Sequence, residues 1–215
     1  MQNRVRDGPP LNLMSYGRRG PGERSCLSLA QIQQIARTVA RSPEVMVKVL
    51  PAGASSLGAV CAHLAYVGRQ GDVHLETDDG QRLHSDDAAS LIEDWDLDLD
   101  KHHGQSDLGG SGNRRAPKLV HKLVFSMPAG TPPEKVLAAT QDFCREQFAL
   151  KHRYVAALHT DEPHPHVHVV IKAISERGKR LNIRKATLRE WRSEFARHLR
   201  LRGVAANATP RFERG

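Results

Sequence analysis

The sequence predicts an α+β protein with a central antiparallel sheet flanked by helices. At 215 residues and 39% apolar content, it has enough chain and enough nonpolar surface for one sizeable core. Helix-like and strand-like segments are mixed along it, with apolar residues at helical spacing in some windows and in alternation or short runs in others. The last two strand-like segments, "RYVAALHT" and "HVHVVIKAI", are joined by only about six residues. A parallel crossover needs roughly a dozen or more, so this pair is predicted to be antiparallel.

Residues 1 to 44 form a basic N-terminal extension with one short helix. Its first part, "MQNRVRDGPPLNLMSYGRRGPG", is rich in Gly, Pro and Arg, lacks periodicity and reads as a mobile tail. "SLAQIQQIARTVA" then places Leu29, Ile32, Ile35 and Val39 at helical spacing behind Ser28, a suitable N-cap. The main domain spans 45 to 215. "EVMVKVL" reads as a strand. "SSLGAVCAHLAYV" reads as a helix with a serine cap and Leu57, Val60, Cys61 and Leu64 on one face, ending near Tyr66 and Gly68. "GDVHLETDDGQRLH" alternates around an Asp-Gly pair, a hairpin signal. From about 76 to 117 the chain is acidic and then Gly/Ser-rich, as expected of a peripheral, flexible insertion. "KLVHKLVFSM" reads as a buried strand and "PPEKVLAATQDFCREQFA" as a helix. "TLREWRSEFARHLRLRG" carries a capping box in Thr187 and Glu190, a stripe of Leu188, Trp191, Phe195 and Leu199, and Gly203 at its end.

Composition narrows the partners. The net charge of +8, from 32 Lys+Arg against 24 Asp+Glu, favours polyanions, with nucleic acid the first candidate. No window has the apolar length to cross a bilayer, and the N-terminus lacks the apolar core of a secretion signal, so no membrane insertion is expected. Cys26, Cys61 and Cys144 are widely spaced and odd in number, which fits buried thiols in a reducing cytoplasm.

The stretch "HTDEPHPHVHVVIK" carries the chemistry. A register that sets His159 opposite His166 also sets Ala157 opposite His168, and side chains alternate between faces of a strand. His159, His166 and His168 then share one face, while Val167, Val169 and Ile171 pack on the other. Opposed positions lie roughly 5 Å apart and i, i+2 positions about 7 Å, close enough for three imidazoles to meet at one ion with coordination positions left open. His164, on the turn, is the alternative third ligand. Asp161 has three open roles: orienting a histidine, serving as a general base, or bonding the turn backbone. An H-x-H pair on a strand is also common as a plain surface pair.

These residues resemble a known family. "HTDEPHPHVHVVIK" is similar to the third motif of conjugative relaxases of the MOB-P class, the MobA/VirD-type mobilisation nucleases of the HUH endonuclease superfamily. "HLAYVGRQGDVHLE" resembles their first motif and "VFSMPAGT" their second, in the same order, and the resemblance covers about residues 45 to 215. It implies a ferredoxin-like palm and a nuclease that nicks one DNA strand at an origin of transfer. Tyr66 would be the nucleophile and would retain the 5′ phosphate. His159, His166 and His168 would hold a divalent metal, Mg²⁺ or Mn²⁺ foremost and Zn²⁺ as the third candidate, and Asp161 would assist catalysis. Ser126 would touch the DNA near the cut. Arg69 and the cluster Arg177, Lys179, Arg180, Arg184 and Lys185 suit phosphate contacts. The resemblance also implies single-stranded DNA, relaxosome accessory proteins and a type IV secretion coupling protein as partners, and a bacterial cytoplasmic location with transfer alongside the strand.

A phenol ionises near about pH 10, so such a nucleophile needs nearby positive charge. Two other readings share these residues: a metal-dependent phosphodiesterase using activated water, and a DNA-binding module without chemistry. Of the other tyrosines, Tyr16 falls in the basic tail and Tyr154 opens a strand.

Overall fold

The computed structural model describes residues 28–51, 55–84, 87–97 and 117–209. Six strands form one sheet: β1 (Met46–Val49), β2 (Leu75–Thr77), β3 (Arg82–Leu83), β4 (Val120–Ser126), β5 (Tyr154–His159) and β6 (His166–Lys172). Their spatial order is β1-β4-β6-β5-β2-β3, and every pairing is antiparallel. Among the described residues five α-helices accompany them: α1 (Leu29–Val39), α2 (Leu57–Val67), α3 (Ala88–Asp94), α4 (Pro133–Phe148) and α5 (Lys185–Leu201). This is the α+β class the sequence predicts. Residues 1–27, with Tyr16 and Cys26, and residues 98–116 lie outside the described residues.

The long strands β4 and β6 are buried on both faces, which is why "KLVHKLVF" and "HVHVVIK" read as apolar runs. Each face has its own core. On one face Leu123, Phe125, Val167, Val169 and Ile171 pack with Phe143 and Phe148 of α4 and Trp191, Phe195 and Leu199 of α5. On the other, Val120, Val155, Ala157 and Val170 pack with Val60, Leu64 and Val67 of α2 and with Leu91, Trp95 and Leu97. Strand alternation sorts neighbouring residues between the two layers.

The acidic segment differs from the peripheral insertion expected between about 76 and 117. Strands β2 and β3 extend the sheet through the Asp-Gly hairpin, with Gly80 at φ +85°. Leu91, Trp95 and Leu97 are at most 3% exposed, and their spacing is masked in the sequence by the acidic residues between them. Arg153, just before β5, bonds Asp78 at 2.9 Å and Asp94 at 2.8 Å, so part of the acidic surplus ties this segment to the sheet.

Helix ends follow their cap chemistry with one change. Ser28 and Ser56 cap α1 and α2 through bonds to the N–H groups of Gln31 and Ala59. The predicted cap at Thr187 lies inside α5, which starts two residues earlier; Thr187 Oγ1 instead accepts the Arg184 N–H at 3.3 Å. Gly203, at φ +72°, ends α5: the Gly203 and Val204 N–H groups bond the carbonyls of Arg200 and Leu199, a Schellman motif. The apolar stripe of α1 differs from the buried face its spacing suggests. Leu29, Ile32 and Val39 are all exposed.

Candidate active site

The site lies at one end of the sheet, on the α2 side. The β5–β6 register pairs His159 with His166 and Ala157 with His168. All three imidazoles therefore rise from one face, with ring centroids 4.5 to 5.3 Å apart. Each offers a ring nitrogen within 4.8 Å of the others. His164 is not in that group; its carbonyl oxygen accepts the His166 Nδ1–H at 3.0 Å.

Helix α2 brings a second set of groups over the cluster. Its C-terminal turn places the Tyr66 ring 6.0 Å from His168, edge to face. Tyr66 is 53% exposed, so its ring lies open at the surface beside buried imidazoles. His159 Nε2–H donates to the Val67 carbonyl at 2.7 Å, which places the lone pair of the neutral ring on Nδ1. Arg69 follows in a short turn with a left-handed backbone at Arg69 and Gln70, φ 50° and 55°. That turn swings the guanidinium back over the site. It lies 5.3 Å from the Tyr66 ring centroid, 3.2 Å from His159 Nδ1 and 2.5 Å from an Asp161 oxygen.

Burial favours the neutral form of His159 and His168. Burial lowers the His168 pKa to about 3, reinforced by the charges His159, His166, His63 and Arg69 can carry. Burial also lowers His159, against the bond it donates to the Val67 carbonyl, with Arg69 adding to the effect. At Asp161 loss of hydration acts upward, but a backbone N–H and the Arg69 guanidinium together outweigh it and hold the carboxyl below the usual range. Asp161 is thus an ionised partner of Arg69.

Neutral imidazoles with converging lone pairs are the donor set of a borderline divalent metal. His168 Nδ1 is buried without a partner among the described residues, a deficiency that a bound ion or a proton-donating ligand would relieve. The residues fit a metal. A second acidic and histidine group, Glu146, Glu194 and His198, does not need one, because Arg197 bonds both carboxylates.

The other predicted residues fall in two places. Ser126 ends β4 beside His166 and is 5% exposed, next to the cluster. Arg177, Lys179, Arg180, Arg184 and Lys185 lie past the opposite end of β6, beyond Lys172. The seven residues from His166 to Lys172 alone span roughly 20 Å.

Two neighbours escaped the sequence reading. His63 sits one turn before Tyr66, its ring 6.0 Å away and 6.4 Å from His168, and burial with the Lys122 charge lowers its pKa to about 4. Lys122, 8% exposed on β4, has its pKa lowered by burial. The signals were present: His63 and Tyr66 share a helix face at i, i+3, and Lys122 shares a strand face with Val120 and Val124.

Residues 66–203 match the family described as relaxase, MobA/VirD2-like, nuclease domain, a span that begins at Tyr66 and covers more than half of the chain. The chain belongs to the MobA/VirD2-like relaxases. Similar relatives are the T-DNA border endonucleases VirD2 of Rhizobium radiobacter, 27% identical, and of Agrobacterium fabrum, 28% identical. Both alignments cover 80% of this chain but 43% and 41% of the relatives, so this relaxase chain spans less than half their length. A solved structure titled "Molecular Basis of Vancomycin Resistance Transfer in Staphylococcus aureus" aligns at 17% identity over 46% of this chain and 61% of that one, with a TM-score of 0.35.

Proposed function

We propose that this relaxase nicks single-stranded DNA at an origin of transfer through a 5′-phosphotyrosine on Tyr66. The observation that carries this reading is the Tyr66 ring 6.0 Å from His168, open to solvent, at the edge of a three-imidazole cluster. The Tyr66 oxygen attacks the scissile phosphorus, and the bond from phosphorus to the 3′ oxygen breaks. The 3′ oxygen leaves as a hydroxyl after gaining a proton from water. The bond energy is retained in the phosphotyrosine, so the reverse attack by that hydroxyl rejoins the strand without a nucleoside triphosphate.

His159, His166 and His168 would hold a divalent metal, Mg²⁺ or Mn²⁺ with Zn²⁺ as the third candidate, which when bound polarises the phosphate and offsets its developing charge. The chain's own groups do the rest. Arg69 sits over the Tyr66 ring, 5.3 Å from its centroid, a cation beside the attacking group. The phenol proton passes to solvent, because Asp161 is committed to Arg69 and burial with Lys122 suppresses the basicity of His63. Asp161 is therefore a positioning residue that holds Arg69. Ser126, beside His166, contacts the strand near the cut.

In this reading residues 45–215 are the nicking domain and 1–44 an N-terminal extension. Relaxosome accessory proteins and a type IV secretion coupling protein are its partners. It acts in the bacterial cytoplasm and travels with the transferred strand.

The test uses a random pool of end-labelled single-stranded DNA with Mn²⁺. The expected product is a protein–DNA adduct that survives denaturant, is absent with Tyr66→Phe, and yields the nick sequence when its DNA is read. Cleavage without an adduct would point to activated water instead, and an adduct that survives Tyr66→Phe would move the nucleophile.

A further inference from the structure

A second charged feature lies away from the imidazoles. On the α4/α5 face, at the far end of β4 and β6, a cleft of about 520 Å³ is walled by Lys118, Arg180, Arg184 and Lys185 over a floor that includes Leu181 and Ile183. No carboxylate lines it. Among the described residues, none of the four cations has a salt-bridge partner; Arg180 spends one N–H on the Lys118 carbonyl at 2.8 Å and keeps the rest of its guanidinium.

The cleft is built, not incidental. Leu181 and Ile183 pack against the core of that face, and the Leu181 N–H bonds Ala173 at 2.8 Å, so the floor is fixed to the end of β6. His121 Nε2–H donates to the Leu181 carbonyl at 3.2 Å from the sheet below. The N-terminus of α5 faces the cleft with Lys185 as its first residue and no acid in its first turn. Helix dipoles favour acidic residues there, so the local preference is broken in the direction that concentrates positive potential. Four cations around an apolar floor suit a ligand that alternates phosphates with flat nonpolar faces, and a DNA strand does so.

His121 and Ser126 are five residues apart on β4, roughly 17 Å, and lie on opposite faces of the sheet. One short segment of DNA cannot reach both. At about 3.4 Å per step for a stacked strand, the direct separation alone corresponds to roughly five steps, and the path around the sheet adds more.

We propose that this cleft is a second DNA-binding site, which takes phosphates of the substrate strand remote from the scissile bond. The proposal rests on the nuclease reading only for its choice of polyanion. The remote segment anchors the strand while the cut region reaches the imidazole end.

The probes are fluorescein-labelled single-stranded dT30 and dT6, titrated by anisotropy at several salt concentrations. The protein is the full chain, compared with R184A/K185A and with R145A/K151A, which removes two exposed cations outside the cleft. The expected result is a tenfold or greater weakening of dT30 for R184A/K185A, with a salt slope shallower by roughly 1.4, two phosphate contacts on single-stranded DNA. R145A/K151A should stay within about twofold, and melting temperatures should be alike because all four positions are exposed at the surface. Equal weakening by both double variants would overturn the proposal in favour of net charge alone. So would unchanged dT30 affinity, or displacement of dT30 by polyglutamate of equal charge as readily as by unlabelled dT30, which would mark a groove for acidic peptides. If the wild type forms no Tyr66 adduct while R184A/K185A still weakens dT30, the nuclease reading fails and the cleft stands.

Discussion

Arg69 sets the state of the site at the scale of single residues. Its guanidinium donates toward His159 Nδ1 at 3.2 Å, the one nitrogen of that ring whose lone pair is free once Nε2 has bonded Val67. A metal ion held by His159 needs the same lone pair, so protein cation and metal cation compete for one atom. Substitution Arg69→Gln should tighten Mn²⁺ binding without DNA by roughly tenfold, about the worth of one charged hydrogen bond and its repulsion. Isothermal titration of both proteins checks this, and equal affinities would show that Arg69 does not guard the ligand. The three histidines were legible because a strand shows its faces through alternation. The Arg69 contact was not: it joins residues ninety positions apart through a turn in which non-glycine residues adopt left-handed backbone, for which the sequence carries no signal.

At the scale of elements, the site is the meeting of one hairpin and one helix. The β5–β6 hairpin supplies the imidazoles, and α2 supplies Tyr66, His63 and the Val67 carbonyl. What seats α2 is a row of apolar residues, of which Val60, Leu64 and Val67 are wholly buried. Leu64→Ala should cost roughly 2 to 5 kcal/mol by the cavity it leaves, measured by denaturant unfolding. It should also lower adduct yield in protein that remains folded, because the helix that orients Tyr66 loses its anchor; a variant that is destabilised with full adduct yield would uncouple the two. The antiparallel hairpin was readable from its short connection. The contribution of α3 was not, because acidic residues between Leu91, Trp95 and Leu97 make a core segment look solvated.

For the whole molecule, the buried histidines tie stability to pH. His63 and His121 are lowered to about 4 and His168 to about 3, in each case chiefly by burial. In the unfolded chain these rings take up protons below about pH 6.5, while in the folded chain they stay neutral until much lower pH. The unfolded state therefore binds more protons in that window, and stability should fall as pH is lowered from about 6.5 towards 4. Thermal melts at half-unit steps would show the decline. His121→Gln, which keeps a donor for the Leu181 carbonyl without a titrating ring, should make it shallower; an unchanged slope would remove His121 from the cause. Charge balance made the surplus of cations legible in the sequence, but the placement of the charges at two ends and two faces of the sheet is a product of topology.

The sheet's borders have a consequence of their own. The outermost strands are short, four residues in β1 and two in β3. Unpaired rims of that length give another chain little to zip onto, whereas the long, greasy strands are sealed in the middle. A concentrated preparation should accordingly stay dispersed instead of growing into fibrils, with colloidal behaviour governed by its surplus of positive charge.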